Sequence, residues 1–474
     1  MPNNLQGRAR LIICLIVIAL VGVLSQSGFA LCQSAHKPET RLLHLESKVL
    51  VKRAVKQYQP DYPLELRAAY IDRRFGAPTF EVIVNQTGEV VSAKPVKGIS
   101  LLIQPALEAV KQWKFAPNTH RDSQSFTGLV TLEPPPEIFG DLTNPVAFYQ
   151  KNATLDPESW ERCCKLARAY LTTANNTPND PTLAKAVLEY QKAFELSQTP
   201  LQKTIALWGE GEGLSQQKKY VQALAAFQEA SRLMPEFYEL FIEIGWLYKA
   251  VDDEEKAITT FEQLLLQPVP LCLQEMALVN IYSNEKLLNK PVPQLVKTLK
   301  RLLGTQLAQV GIDDSSPQPS SLASGYGELA LYESQLGNHQ EAISAWQEMI
   351  ERNPVPEERL GAALQIASLY KQMGNQVEAV KMYKQQLRQI DQQLWQNPLP
   401  GTGSILYYYR GKVNEGLGKE REAIRDYQTA ARHNHLFLEP HRALHRLYVQ
   451  VNDTLMAQTE LEIIEKIKQE LRQN

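Results

Sequence analysis

The chain has 474 residues, of which 44% are hydrophobic and 22% are charged, and this composition predicts two or three folded globular units. Its 50 Lys and Arg residues nearly balance 52 Asp and Glu residues, which gives a formal net charge of -2. Because nucleic-acid binders neutralise phosphates with concentrated basic residues, this balance argues against a nucleic-acid partner.

Residues 1–30 have the pattern of an export signal. Arg8 and Arg10 precede a run of 14 uncharged, almost wholly apolar residues, Leu11 to Leu24, and Gly28-Phe29-Ala30 resembles a signal-peptidase site. A helix needs about 20 apolar residues to cross a bilayer, so a cleaved signal peptide is favoured. The alternative is a retained N-terminal membrane anchor. A linker is expected at residues 31–47 in either case.

A small domain with strand-like periodicity is predicted at residues 48–133. Apolar and polar residues alternate over Thr79 to Val84, which predicts a half-buried strand, and Glu89 to Val96 is the expected returning strand. Pro105 at a first-turn position is expected to open a helix. Ser125 to Leu132 predicts a last strand, and a Pro-rich linker is expected at residues 134–157.

Residues 48–133 resemble the TonB C-terminal domain family. The resemblance is carried by Tyr62-Pro63, Gly88, Ala106 to Val110, and the cluster of Trp113, Phe115 and Pro117. It implies a small α+β domain whose last strand accepts a partner strand by β-augmentation. The expected partner-strand edge consists of Ser125, Phe126, Thr127, Gly128, Leu129, Val130 and Thr131.

The TonB family carries proton-motive work from the inner membrane to outer-membrane transporters, but two features argue against that role here. The apolar run holds no His, whereas intramembrane proton coupling needs an ionisable residue, and no Pro-rich spacer follows it. An exported scaffold in the periplasm or cell envelope of a Gram-negative-type bacterium is therefore favoured. The alternative is a TonB-type energy transducer, held at the inner membrane because residues 1–30 are not cleaved.

A repeat with a period near 34 residues begins at about residue 158. Ala223 and Phe227 are followed 34 positions later by Ala257 and Phe261. The same small-then-bulky pair recurs as Ala186/Tyr190, Ala342/Trp346, Ala379/Tyr383, Ala423/Tyr427 and, more weakly, Ala457/Leu461. This pattern predicts helix pairs at residues 158–270 and 322–470, separated by a degenerate helical repeat and loop at 271–321.

These landmarks, together with Gly211 and Gly245 in the first helices and Pro235 and Pro354 after the second, resemble the tetratricopeptide repeat (TPR) family. The expected fold is therefore mostly α, a TPR-type helical solenoid preceded by the small α+β domain. The resemblance implies a superhelix whose first helices line a concave groove. Proteins or peptides are the expected partners, such as an outer-membrane transporter or another envelope protein.

That geometry predicts a peptide-binding groove. Its candidate residues are Trp208, Trp246, Lys249, Lys371, Tyr408, Lys412, Arg442 and Arg446. The basic residues at the C-terminal end are expected to hold the acidic or carboxylate end of an extended peptide or partner helix. The alternative is that these are solvated helix charges, with Trp208 and Trp246 packing between repeats.

No motif of catalysis is present: the sequence lacks a P-loop, G-x-S-x-G, H-E-x-x-H and the Rossmann glycines, so neither an enzyme nor a cofactor is expected. His441 and His445 are spaced for one helix face, but no acidic or Cys ligand accompanies them in sequence, and no metal site is predicted. Four of the five cysteines follow the export signal and could form disulfides after export, with the pairing left open.

Overall fold

The computed structural model describes residues 42–63, 65–66, 76–117, 125–134, 159–175, 177–310, 319–353, 355–396 and 400–473. The predicted signal peptide or membrane anchor lies outside the described residues, as do most of the two predicted linkers. The chain divides into two compact units. The first comprises residues up to Asp61, Thr79–Lys94 and Pro105–Leu132, and the second comprises Tyr62–Pro78, Pro95–Gln104 and Glu133–Asn474.

The N-terminal part contains two small sheets. Its elements are β1 (Leu42–His44), α1 (Ser47–Lys52), β2 (Ala54–Lys56), β3 (Thr79–Val84), β4 (Val90–Lys97), α2 (Ser100–Lys111), β5 (Lys114–Phe115) and β6 (Ser125–Thr131). One sheet has the strand order β1-β6-β3-β4, and β2 pairs with β5 in the other. Phe80, Val82 and Val84 on β3 are fully buried, as the alternating pattern predicts.

The predicted partner-strand edge is wrong, because β6 lies inside its sheet. On one side β6 pairs antiparallel with β3, from Thr79↔Thr131 to Val84↔Phe126. On the other side it pairs in parallel with β1 over Ser125 to Thr127. The sequence assigned residues 42–44 to a linker, and this missed strand covers the start of β6. Among the described strands, β4 is at the edge of this sheet opposite β1.

Helix α2 begins five residues before the predicted start. It runs from Ser100, so Pro105 lies inside the helix and not in its first turn. The backbone N–H of Ser100 donates a hydrogen bond of 2.8 Å to Oε1 of Glu239, within the second unit. A side-chain acceptor for the first N–H favours the earlier helix start, since that N–H has no partner inside the helix.

The second unit contains sixteen helices within the described residues. They are α3 (Trp160–Thr173), α4 (Pro181–Leu196), α5 (Pro200–Gln216), α6 (Tyr220–Leu233), α7 (Glu239–Ala250), α8 (Glu254–Leu265), α9 (Leu271–Leu287), α10 (Val292–Val310), α11 (Pro319–Gln335), α12 (His339–Arg352), α13 (Pro356–Gln372), α14 (Gln376–Trp395), α15 (Pro400–Gly416), α16 (Glu420–His433), α17 (Leu438–Gln450) and α18 (Thr454–Gln473). Consecutive helices pack as eight pairs. The stretch expected to be degenerate supplies one of these pairs, α9 and α10.

Seven of the eight pairs in the described residues turn tightly between their two helices, through one residue in the left-handed conformation; α3 and α4 are joined by a longer segment. Gly374 ends α13 and Gly418 ends α15, with φ angles of 78° and 75° that favour glycine. After α5 the same left-handed conformation is taken by Lys218, with φ of 59°. The repeat therefore keeps the turn geometry even where its glycine is absent.

Small residues allow the paired helices to approach closely. A Cβ added at Gly211 would lie 2.5 Å from the ring of Phe227, and one added at Gly411 would lie 2.6 Å from the ring of Tyr427. Both rings are buried. The glycine of the first helix and the aromatic ring of the second thus form the contact that joins the two helices of a pair. None of the described helices is long and apolar enough to cross a membrane.

Candidate functional site

Three successive first helices of the array bring basic side chains into one cavity. Lys371 extends from α13, Lys412 from α15 and Arg446 from α17, and they line a cavity of about 250 Å³. The remaining lining residues are Leu364, Gln365, Ser368, Tyr383, Glu415 and Gly416. Three of the predicted groove residues therefore share one site, which is called the cationic pocket below.

The cationic pocket contains one carboxylate, that of Glu415. Nη2 of Arg446 donates hydrogen bonds of 2.8 and 2.7 Å to Oε1 and Oε2 of Glu415. The hydroxyl of Tyr427 donates another, at 2.9 Å, to Oε2. The ammonium of Lys371 donates to the carbonyl oxygen of Gly416 at 3.4 Å. Glu415 thus pairs with Arg446 and leaves the two lysines without a carboxylate partner in the cavity.

Lys412 is the cation of the cationic pocket whose charge is most affected by burial. Its ammonium lies 5.7 Å from the ring centre of Tyr408, and within the described part of the chain no hydrogen bond or ion pair engages it. Burial lowers the pKa of Lys412; the negative charge of Glu415 opposes this effect and the positive charge of Arg446 adds to it. An anion beside Lys412 would relieve that penalty, so the pocket favours an incoming carboxylate.

Two other predicted groove residues at this end lie outside the cationic pocket. Arg442 is exposed and forms a 3.7 Å ion pair with Glu439 on its own helix. The ring of Tyr408 packs against Tyr427 and Phe437, with centre distances of 5.8 and 5.2 Å. Arg442 is therefore a solvated helix charge. Tyr408 does not line the cationic pocket, but its ring packs beside Lys412, which does.

The predicted aromatic end of the groove is largely taken up by packing. Trp208 is only 4% exposed and meets Phe237 edge-on at 5.0 Å. Nε1 of Trp246 donates a hydrogen bond of 3.1 Å to Asn280 of the next repeat. Lys249 is exposed. These contacts agree with the alternative in which both tryptophans join neighbouring repeats.

Sequence reasoning missed Glu415, although a signal for it exists. Glu415 follows Lys412 by three positions on one helix, so the two side chains are neighbours on its surface. Tyr383 was assigned only to packing, and it does contact the backbone of Gly416: a Cβ added there would lie 2.4 Å from the ring. The same ring also lines the cationic pocket.

The described cysteines form no disulfide, and His441 has a partner within the protein. Cys163, Cys164 and Cys272 are free thiols, and burial raises the pKa of Cys164 well above its usual value. Nδ1 of His441 lies 2.7 Å from Glu460, an acidic neighbour that the sequence spacing did not reveal. Within the described residues, no group of three or more His, Cys, Asp or Glu side chains could hold a metal ion.

No family model matches the chain, and no curated protein matches it. Similar solved structures include a tetratricopeptide repeat protein from Parabacteroides merdae, with 17% identity, a TM-score of 0.31, and coverage of 58% of this chain and 93% of that one. Another is YrrB, a TPR protein with an unusual peptide-binding site, with 15% identity, a TM-score of 0.31, and coverage of 45% and 96%. A third is the apo quorum sensor NprR from B. thuringiensis, with 12% identity, a TM-score of 0.32, and coverage of 68% and 92%.

Proposed function

We propose that this chain is a protein-interaction scaffold whose helical array binds an acidic or carboxylate-bearing peptide segment in the cationic pocket. The observation that carries the proposal is the convergence of Lys371, Lys412 and Arg446 from three successive repeats on a cavity with a single carboxylate. Charge-assisted hydrogen bonds to a carboxylate are the strong class of such bonds. No catalytic role is proposed.

The two lysines supply the recognition and Arg446 supplies the selectivity. An incoming carboxylate pairs first with Lys412, whose ammonium is partly buried and unpaired within the described residues. To pair with Arg446 as well, it must compete with Glu415. A ligand with two negative charges, such as an acidic side chain beside a free C-terminus, is therefore favoured over a single charge.

Titration with a labelled peptide tests this proposal. The probe is a fluorescein-labelled octapeptide with four Glu residues and a free C-terminus, compared with its Gln-substituted, amidated counterpart. We expect saturable binding of the acidic peptide alone, weakened at least tenfold by the pair Lys412→Gln and Arg446→Gln. The matched control is Lys384→Gln with Arg388→Gln, two exposed cations on α14 outside the pocket.

Equal weakening by the two double variants would mean that only overall charge is recognised, and the cationic pocket would then not be the site. Unchanged binding in the pocket variant would also overturn the proposal. Circular dichroism melting of each variant separates a folding defect from a loss of binding.

We also propose export to the cell envelope and a docking role for the TonB-like segment. Export is supported by Arg8 and Arg10 before the apolar run Leu11 to Leu24. For a partner strand, the outer strand β4 replaces the mistaken edge β6; its Pro95 removes one N–H, so pairing is confined to the preceding residues. N-terminal sequencing of the mature protein tests this: loss of residues 1–30 supports an exported scaffold, and their retention favours the energy transducer.

A further inference from the structure

The outward sides of two neighbouring second helices, α14 and α16, carry a cluster of exposed cations. On each helix the cations lie within about 40° of a single line that runs along the helix. These lines lie on the side away from the buried residues, which include Tyr383 on α14 and Tyr427 on α16. The cluster, called the basic face, consists of Lys381, Lys384, Arg388, Arg421, Arg425 and Arg432.

Arg410 holds the two helices of the basic face side by side. Its guanidinium donates to Asp391 of α14 at 3.2 Å and to Asp426 of α16 at 2.6 Å. Such a concentration of cations is not a property of every repeat. The positions of α12 that are equivalent to the three arginines of α16 hold Gln340, Ser344 and Glu351. The basic face is therefore a local feature of a chain whose formal net charge is -2.

Most cations of the basic face have no carboxylate partner. Lys381 pairs with Glu378 at 3.1 Å, within α14, and Arg432 donates hydrogen bonds to its own helix. On α16, Glu420 and Glu422 lie about 100° to either side of the line of arginines. Within the described part of the chain, four side chains of the face form no hydrogen bond or ion pair: Lys384, Arg388, Arg421 and Arg425. The protein thus leaves most of this positive charge free for an outside partner.

Exposed apolar side chains lie at both ends of the line on α14. Val377 is 77% exposed and Trp395, the last residue of the helix, is 90% exposed. About 27 Å of helix separates them, and Lys384 and Arg388 lie between them on the same line. The other five tryptophans of the chain are buried or half-buried. Trp395 is therefore the one tryptophan that is open to a partner.

This arrangement fits a membrane surface better than a protein partner. The centre of a protein interface is apolar and depleted of charge. The basic face has the reverse pattern, with cations at its centre and apolar side chains at its ends. Cations beside an exposed tryptophan are typical of segments that lie in the headgroup layer of an anionic bilayer. A second copy of the chain is disfavoured, because two basic faces repel each other.

The shape of the surface agrees with a broad partner. The depression beside these cations measures about 540 Å³ and is lined by residues of α14 alone. A depression with a single helical wall does not enclose a ligand from two sides. The cationic pocket differs in this respect, since three helices contribute its cations.

We propose that the basic face of α14 and α16 binds the surface of an anionic phospholipid bilayer, with the ring of Trp395 in the headgroup layer. A bilayer presents a continuous plane of phosphates, so all the cations of the face contribute to the attraction together. A short soluble peptide meets only a few of these exposed, screened charges and gains little from them. This site is separate from the cationic pocket and does not depend on peptide binding there.

Quenching of Trp395 fluorescence by brominated lipid tests the proposal in the full chain. The vesicles contain phosphatidylcholine with about 30% phosphatidylglycerol, and pure phosphatidylcholine vesicles are the comparison. We expect saturable quenching by the anionic vesicles alone, weakened at about 0.5 M salt because the Debye length shortens. Trp395→Phe is expected to abolish the quenching. The readout is local to the face, so insertion of the apolar run Leu11 to Leu24 does not produce it.

Charge variants then locate the site. Arg421→Gln with Arg425→Gln is expected to raise the lipid concentration for half-maximal quenching at least tenfold. The matched control is Lys297→Gln with Arg301→Gln, which removes two exposed cations with the same spacing from another second helix, α10. The control is expected to behave as the unaltered chain does. Circular dichroism melting of each variant shows whether the array still folds.

Equal weakening by the two double variants would overturn the proposal, as would equal quenching by anionic and neutral vesicles. Self-association that is lost in Arg421→Gln with Arg425→Gln, without quenching by lipid, would identify a second copy of the chain as the partner. Binding of a poly-Glu peptide that is lost in the same variant, again without quenching, would identify an acidic protein.

Discussion

Ser100 and Glu239 cap each other's helices. The carboxylate of Glu239, at the start of α7, accepts hydrogen bonds from the backbone N–H and the hydroxyl of Ser100, at 2.8 and 2.5 Å. In return, the hydroxyl oxygen of Ser100 accepts from the backbone N–H of Tyr238 at 3.2 Å. Each helix N-terminus thereby satisfies one N–H group, α2 through the buried carboxylate of Glu239 and α7 through the hydroxyl of Ser100.

The first prediction concerns pH. Burial raises the pKa of Glu239 to about 7, and the hydrogen bonds from Ser100 oppose the rise. In the unfolded chain the carboxyl titrates near its ordinary pKa of 4.5. Between these values the folded state holds the extra proton, so stability is greatest below about pH 4.5 and falls as pH rises through about 7. The expected loss is about 3 kcal/mol, since one pKa unit corresponds to about 1.4 kcal/mol.

Hydrogen exchange of the backbone amides near Ser100 and Tyr238, at pH values from 5 to 8, measures how the stability of this contact depends on pH. Glu239→Gln is expected to remove the pH dependence of protection, after correction for intrinsic exchange rates. Glu236→Gln is the matched control, since Glu236 is exposed and three residues earlier. Protection at Ser100 that changes equally with pH in all three proteins would contradict the assignment to Glu239.

The sequence predicts the local features of this chain better than its distant contacts. The small and aromatic landmarks are visible in sequence because each repeat carries the same contact. In the cationic cluster, Lys412 and Arg446 each lie six residues before the left-handed turn residue of their pair, and Lys371 lies three residues before its own. The Glu239 contact joins residues 139 positions apart, and no periodicity reveals it. The edge strand was misassigned for the same reason, since three residues forming β1 are too few to give an alternating pattern.

The second prediction concerns Glu415, the carboxylate inside the cationic pocket. Glu415→Gln removes the competitor for Arg446, so the acidic octapeptide is expected to bind several-fold more tightly. The same change removes the opposing influence on Lys412 and lowers the pKa of that ammonium further. Fluorescence polarisation titration measures the affinity. Glu422→Gln, an exposed position at the start of α16, serves as the control, and weaker binding in Glu415→Gln would count against a competitive role for this carboxylate.

The third prediction concerns a buried charge that links α14, α15 and α16. Asp426 is 5% exposed and accepts bonds from Nε and Nη2 of Arg410, at 3.0 and 2.6 Å, and from Asn414 at 2.8 Å. Asp391 accepts a single bond of 3.2 Å from the same arginine at the surface. Asp426→Ala is expected to destabilise the array by about 3 to 5 kcal/mol, because it leaves Arg410 partly buried without its main partner.

Asp391→Ala is expected to change stability by less than about 1 kcal/mol, as is usual for exposed ion pairs. Urea unfolding followed by circular dichroism measures both variants. Similar midpoints for the two would show that the Arg410–Asp426 pair is no more important than a surface contact.

The last prediction replaces glycine by alanine at two helical positions and expects opposite changes in the free energy of unfolding. A Cβ added at Gly245 in α7 would lie 2.4 Å from the ring of Phe261, which is fully buried and cannot move aside without disturbing the core. Gly245→Ala is therefore expected to destabilise the array by about 1 to 3 kcal/mol. Gly304 in α10 is exposed and has nothing within 4 Å of an added Cβ. Gly304→Ala is expected to stabilise by up to about 1 kcal/mol, because alanine is the better helix former.

The two variants separate close helix approach from helix propensity, since propensity alone predicts a gain at both positions. Urea midpoints of the single variants, compared with the unaltered chain, are the measurement. A second substitution supports the reading: Gly245→Ala combined with Phe261→Leu should recover part of the lost stability, because the smaller side chain makes room for the methyl group. A gain in stability from Gly245→Ala alone would mean that the helices do not meet at this glycine. The contact inferred between the glycine of each first helix and the ring of the second would then be wrong.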